Sequence, residues 1–216
     1  MKTLSVCAAT THDDDEFYWT PEYNRLLDFR TDQQHTFWPE MIAFDRAIRR
    51  YPVLNSEFGY ERGVDTFPSY KTVHYWQQQL RRAWLIDLAG GYAVYYYHNT
   101  AWDVIKPDPE PPGMQRFQLL GDTLGVLPYW RMEPHNELAV GAPCLAEPGH
   151  AYACYVEDAQ LTLNLLSLDA PQKAQAEWVD TWTGKREPVT LNRAQVYRNL
   201  KKPESFGKAP AVLVVR

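Results

Sequence analysis

Two periodicities run through the chain, and they change places near residue 130. Before that point, short apolar runs alternate with segments whose apolar residues recur every three or four positions, the signatures of strands and amphipathic helices. "TLSVCAATTH" and "RLLDFRTDQQH" read as strands with polar ends. A helix follows, with Trp38, Met41, Ile42, Ala43, Asp45 and Ile48 on one mostly apolar face, Thr36 able to cap it and Arg49 and Arg50 closing it. "YPVLNSEFGYE" is the next strand. In "YKTVHYWQQQLRRAWLIDLAGG", Val73, Trp76, Leu80, Ala83, Trp84 and Leu88 share a helical face that Gly90 and Gly91 stop. The strand "YAVYYYHNTAW", a Pro-rich loop "KPDPEPPG" and a third helix with Met114, Phe117, Leu120, Leu124 and Leu127 on its face complete the series.

Strands alternating with helices of this length predict βαβ units and a parallel sheet. In such units the loops at the carboxyl ends of the strands form the site. The polar clusters fall there: His12 with Asp13 to Asp15, Gln34 with His35, Asn55 with Glu57, and His98 with Asn99 and Trp102. Beyond residue 130, "LAVGAPCLAE", "AYACYVED", "LTLNLLSL", "AEWVDTWTG", "REPVTL" and "APAVLVVR" are short strands broken by the turns "EPGH" and "TWTGK". The fold class expected is therefore α/β plus all-β, with an α/β part over 1–130 and a small β-sandwich over 131–216.

Composition narrows the function. Hydrophobic residues make up 45% and aromatics 14%, with 8 Trp and 14 Tyr, a content that suits a large core and an aromatic-lined cleft. The formal charge of −5 comes without a Lys/Arg stripe, so neither nucleic acid nor an anionic membrane is an expected partner. The opening "MKTLSVCAAT" has too short an apolar run for a signal peptide, and no apolar run reaches the roughly 18 residues of a membrane span. An acidic loop at Asp13 to Asp15 is read as solvated rather than as a metal site, and no cofactor is expected. Of the three cysteines, Cys144 and Cys154 flank the "EPGH" turn and could face each other in a disulfide, but a tight hairpin there sets them on opposite faces, which is the favoured reading.

The motifs "YPVLNSEFGYE", "GGYAVYYYHNTAW", "LLGDTLGVLPYWRMEP" and "EWVDTWTGK" carry a resemblance. In this order they resemble the C-terminal part of the (β/α)8-barrel glycoside hydrolases related to bacterial apiosidases, whose barrel is followed by a small β domain labelled collagen-binding. The resemblance implies that 1–130 is the second half of the barrel, contributing its last four strands, and that 131–216 is the accessory domain. It also implies that Glu57 is the nucleophile at the end of the seventh strand. The family's general acid/base sits on the fourth strand, which this chain would lack.

Without the resemblance, Glu57 is equally well a strand-end carboxylate paired with an Arg. His12, Gln34, His35, Asn55, Tyr60, Glu61, His98, Asn99 and Trp102 are the candidate substrate-binding residues, with Glu61 placed in loop as a supporting group. A satisfied rim histidine competes at His35, and plain packing competes at Trp102; Trp76, Trp84, Trp178 and Trp182 are read as packing residues.

Retaining hydrolysis needs two carboxyl groups about 5–5.5 Å apart and inverting hydrolysis about 6.5–9.5 Å. A lone Glu57 therefore expects its acid from a missing strand or another chain, either a longer polypeptide or a homodimer that closes the barrel. The alternative expectation is a non-catalytic carbohydrate-binding or assembly module.

Overall fold

The computed structural model describes residues 28–32, 39–48, 51–62, 73–98, 110–164, 174–191 and 196–216. The expected first strand, Cys7, His12, Gln34, His35, Thr36, Asn99, Trp102 and residues 106–109 of the Pro-rich loop lie outside the described residues. The chain divides into two compact units, Met1–Ile86 with Gly91–Pro109, and Asp87–Gly90 with Glu110–Arg216.

In the first unit, strands β1 (Arg30–Asp32), β2 (Val53–Asn55) and β5 (Tyr92–Ala93) form a sheet in the order β1-β2-β5. Both pairings are parallel, with Arg30 opposite Val53 and Leu54 opposite Tyr92. Helix α1 (Pro39–Ile48) connects β1 to β2, and helix α2 (Trp76–Leu88) precedes β5. This is the succession of parallel strands and helices that the periodicity predicts. It makes the carboxyl ends of the three strands share one side of the sheet.

Proline at the first position of α1 and Glu40 in its first turn suit a helix N-terminus, where an N–H is dispensable and a negative charge is favoured. Ile42 is buried on its inner face, whereas Met41 and Phe44 are exposed. Asp45 is buried there too, because Arg30 of β1 reaches its carboxylate at 3.0 Å. On α2, Leu80, Ala83, Trp84, Ile86 and Leu88 are buried, as the helical spacing anticipates for most of them. The helix ends in a Schellman arrangement: Gly91 N–H donates to the Ile86 carbonyl at 3.0 Å and Gly90 N–H to that of Asp87 at 2.9 Å. Gly90 has φ 82°, in the left-handed region that glycine enters without strain. At Gly91 a Cβ would stand 2.9 Å from Cγ2 of Ile42, so only glycine fits without displacing that side chain.

An additional pair, β3 (Tyr60–Glu61) and β4 (Val73–His74), runs parallel between β2 and α2. It corrects two expectations: Val73 lies in a strand and not on the α2 face, and Glu61 lies in a strand and not in loop.

The second unit contains helix α3 (Met114–Leu124) and the strand-rich remainder. Leu120 and Leu124 are buried with Leu127 beyond the helix, but Met114 is 51% exposed, so the buried face is shorter than the periodicity indicates. Strands β6 (Glu133–Pro134), β8 (Cys144–Glu147), β9 (Ala151–Val156), β11 (Ala176–Asp180), β12 (Arg186–Val189) and β14 (Ala211–Val215) form an antiparallel sheet in the order β12-β11-β14-β9-β8-β6. Strands β7 (Ala139–Val140), β10 (Gln160–Asn164) and β13 (Tyr197–Lys201) form a second, ordered β13-β10-β7.

One buried cluster draws on both sheets, with Cys144, Tyr152, Cys154, Trp178 and Leu213 from the larger and Leu161, Leu163 and Leu200 from the smaller. Every residue of β9 and β14 is buried, so the larger sheet is covered on both faces along these strands. At the β11–β12 turn, Oδ1 of Asp180 accepts hydrogen bonds from the backbone N–H groups of Trp182 and Thr183 at 2.8 and 2.9 Å. Gly184 supplies the positive φ, 74°, that reverses the chain.

The β8–β9 hairpin corrects the expectation for the cysteines. Glu147 stands opposite Ala151, leaving three residues in the loop, with Gly149 at φ 92°. A two-residue loop would put Cys144 opposite residue 153; the extra loop residue moves the register by one and sets it opposite Cys154 on the same face.

Candidate functional site

Strand β2 ends at Asn55, and the six residues after it fold back on themselves. The Asn55 carboxamide Oδ1 accepts a hydrogen bond from the Glu57 backbone N–H at 3.3 Å, a turn that asparagine favours because its side chain imitates a backbone carbonyl. Gly59 follows with φ 113°, a conformation that L side chains rarely adopt. This reversal brings the Tyr60 hydroxyl to Oε1 of Glu57, to which it donates a short hydrogen bond. Asn55, Glu57 and Tyr60 are 2%, 4% and 0% exposed, so a carboxylate is held in a dry setting by a local motif of six residues.

Helix α2 braces that motif. Gln79 Nε2 donates to the Gly59 carbonyl at 2.6 Å and Arg82 Nη1 to the Phe58 carbonyl at 2.8 Å. Two backbone acceptors that a tight loop would leave unpaired are thereby satisfied, and Gln79 itself is 1% exposed. Such bracing fixes the direction of the Glu57 side chain through its backbone. Sequence reasoning passed over both residues because it followed only the apolar face of the helix. The available signal is their spacing, since polar residues three apart share a helical face.

Glu61 is buried at 1% exposure and accepts a hydrogen bond from the Tyr95 hydroxyl at 2.5 Å. Its backbone N–H donates to the Tyr96 carbonyl at 2.9 Å, and it forms a parallel bridge with Tyr97. Successive residues of a strand point to opposite faces. Tyr60 turns toward Glu57, so Glu61 faces away from it, and the two carboxylates are held by different tyrosines. Tyr60 packs edge-on against Tyr96, with ring centroids 5.5 Å apart. The segment "YYY" thus lines the β3 side through Tyr95 and Tyr96, a role the sequence does not distinguish from plain strand residues.

His98 is buried at the end of the run that begins with β5, and burial lowers its pKa, favouring the neutral imidazole. His74 is lowered further, from 6.5 to about 4, by burial and then by the Arg82 charge, against a hydrogen bond to Gln78 that raises it. Arg62 donates to the Tyr75 hydroxyl at 3.1 Å with its guanidinium carbon 5.5 Å from that ring's centre. Among the described residues no group of three or more His, Cys, Asp or Glu is placed to hold a metal ion, and no helix is long and apolar enough to cross a membrane.

The structure therefore joins Asn55 and Tyr60 to Glu57 by hydrogen bonds and places Glu61 beside Tyr60 on β3. The remaining expected site residues other than His98, namely His12, Gln34, His35, Asn99 and Trp102, lie outside the described residues.

No family model matches this sequence, and no curated protein does. Solved structures do match by fold. A glycoside hydrolase family 5 protein from Bacteroides vulgatus ATCC 8482 superposes with a TM-score of 0.70 at 15% identity, over 95% of this chain and 54% of its own. A second solved glycoside hydrolase gives a TM-score of 0.72 at 15% identity, over 95% of this chain and 56% of its own. The chain spans about half the length of these solved structures. At this identity the likeness establishes a mixed α/β fold shared with glycoside hydrolases. The apiosidase relation and the accessory-domain label are finer than what the comparisons reach.

Proposed function

We propose that this chain is a carbohydrate-active protein of the glycoside hydrolase class, with Glu57 as the carboxylate that meets the anomeric carbon of a sugar. The observation that carries the reading is the Asn55–Glu57–Tyr60 motif at the carboxyl end of a parallel strand: a buried carboxylate, aimed by a tyrosine hydroxyl and braced from a helix. The fold shared with solved glycoside hydrolases supports it, and the motif likeness to apiosidase-related enzymes supports the narrower assignment. On this reading 1–130 serves as the second half of a (β/α)8 barrel and 131–216 as an accessory β-sandwich.

In a retaining reaction the Glu57 carboxylate attacks the anomeric carbon as the bond to the leaving oxygen breaks, giving a glycosyl ester that water then hydrolyses. A second carboxylic acid protonates the leaving oxygen in the first step and activates the water in the second, typically contributing about 10²–10⁴-fold. Glu61 is a poor choice for that acid, because it faces the other side of β3. The acid is expected from another strand or another chain, and carbohydrate is the partner bound at the rim.

An aryl glycoside with a leaving group that needs no protonation tests this directly. Slow turnover is expected, lowered at least about 10³-fold in Glu57→Gln. Azide should restore turnover in Glu57→Ala with release of a glycosyl azide of inverted configuration, whereas an azide of retained configuration would assign Glu57 the acid/base role of a retaining enzyme instead. Sugar binding without turnover on any aryl glycoside would instead assign a non-catalytic module. Light scattering distinguishes a homodimer from a monomer in the same preparation.

A further inference from the structure

We propose that Cys144 and Cys154 are the site of a cross-strand disulfide, closed while the β-rich unit folds by exchange with a disulfide oxidant such as oxidised glutathione. The proposal rests on the β8–β9 register and is independent of the sugar site.

The two residues are direct partners across antiparallel strands, with their sulfurs 3.0 Å apart. The backbone hydrogen bonds show which kind of partner they are. Tyr155 N–H donates to the Pro143 carbonyl, so residues 143 and 155 form the hydrogen-bonded pair. Cys144 turns both its backbone groups away from β9: its N–H donates to Oδ1 of Asn136 at 2.9 Å, and its carbonyl accepts from His135 N–H at 2.8 Å. Cys144 and Cys154 are therefore a non-hydrogen-bonded pair, the type whose Cα atoms approach to about 4.5 Å, at the near end of the roughly 4.4–6.8 Å that a disulfide spans. Both side chains lean to the same face into the same core cluster. The sulfurs need to close by about 1 Å, which side-chain rotation supplies without moving a strand.

Both cysteines are 0% exposed. The contact with Cys144, and burial after it, push the Cys154 thiol well above its ordinary pKa, so Cys154 forms its reactive thiolate reluctantly once folded. Closure accordingly belongs to folding, when the hairpin has formed and solvent still reaches it. One cysteine gives its proton to water and its thiolate attacks the oxidant disulfide, expelling one thiolate and leaving a mixed disulfide. The second cysteine, likewise deprotonated, attacks the protein-side sulfur of that bond and expels the other half of the oxidant. Two protein thiols are oxidised and one oxidant disulfide is reduced to two thiols. The covering of both sulfurs afterwards shields the bond from soluble thiols.

The experiment refolds the full chain from denaturant in a mixture of reduced and oxidised glutathione, denatures it again and alkylates it for mass spectrometry. With three cysteines in the sequence, one alkyl group per chain is expected, on Cys7, together with a peptide joining Cys144 to Cys154 that is lighter by two hydrogens. The unreduced protein should melt about 5–10 °C above the same protein after reduction under denaturing conditions and refolding without oxidant. The volume-matched Cys144→Ala/Cys154→Val variant should show no such difference. Three alkyl groups per chain, retained glutathione, a bond to Cys7, or equal melting of the oxidised and reduced forms would each overturn the proposal.

Discussion

In the first unit Arg30, Asp45, Asn55, Glu57, Glu61, Gln79 and His98 are buried among apolar side chains such as Phe58, Leu80 and Trp84, while in the second β9 and β14 are buried along their whole lengths and are apolar except for two tyrosine hydroxyls and the Cys154 thiol. The second unit buries Asp87 and Asp180, and Asp180 serves the chain itself: it receives two backbone N–H groups and shapes a turn. Thr181 likewise spends its hydroxyl on the Pro210 carbonyl at 2.8 Å. Burying a carboxylate is costly unless hydrogen bonds or a counter-charge offset it. The first unit meets that cost with a tyrosine for Glu57, a tyrosine for Glu61 and Arg30 for Asp45. Polar burial without a local backbone purpose marks the unit that holds the candidate chemistry, and continuous apolar burial marks the one that holds itself together.

Breaking the second unit should cost most. Trp178 is 3% exposed in the core shared by both sheets, and Trp178→Ala is expected to lower stability by about 3–5 kcal/mol in urea unfolding, through lost burial and the cavity it leaves. In the first unit the comparable test removes a charge. Asp45→Ala should cost about 3 kcal/mol by removing the buried counter-charge that faces Arg30, whereas Arg30→Met with Asp45→Leu should recover most of that loss. Equal losses in the single and double variants would show that the pair is not a unit.

The pH dependence sharpens the comparison further. The unfolded chain protonates His74 near 6.5, but the folded chain does so only near 4, so the contribution is fully present above pH 6.5 and is lost as pH falls toward 4. With the group half-buried and partly screened, about 1–2 kcal/mol is expected. His74→Gln should flatten that part of the stability curve between pH 6.5 and 4. At the site itself stability and turnover move together. Tyr60→Phe should lower turnover of an activated aryl glycoside about tenfold, and because it takes a hydroxyl donor from the buried Glu57 carboxylate it should also cost about 1–2 kcal/mol in urea unfolding.

What could be read in advance follows the range of each interaction. The strand–helix alternation, the glycine stop after α2 and the polar end of β2 at Asn55 involve residues close in sequence, and periodicity or spacing exposes them. The same holds for the turn around Gly184, where Asp180 and the glycine lie four residues apart. The bond from Tyr60 to Glu57 depends instead on the turn at Gly59. The sequence around Glu61 reads as loop because nothing in "YE" announces a strand whose partner, β4, is twelve or more residues away. Gln79 and Arg82 look like solvent-facing helix residues until the loop they brace is folded against them.

By itself the sequence determined which residues are able to be strand, helix or turn, and it put a carboxylate two residues beyond an asparagine at a strand's end. Tertiary structure alone decided which face and which neighbour each side chain meets. Asp45 sits on an inner helical face because Arg30 waits on the adjoining strand. One additional loop residue turns Cys144 toward Cys154. The physical reason is that register and pairing are set by contacts between segments, and a strand's period of two makes a single-residue slip reverse every side chain.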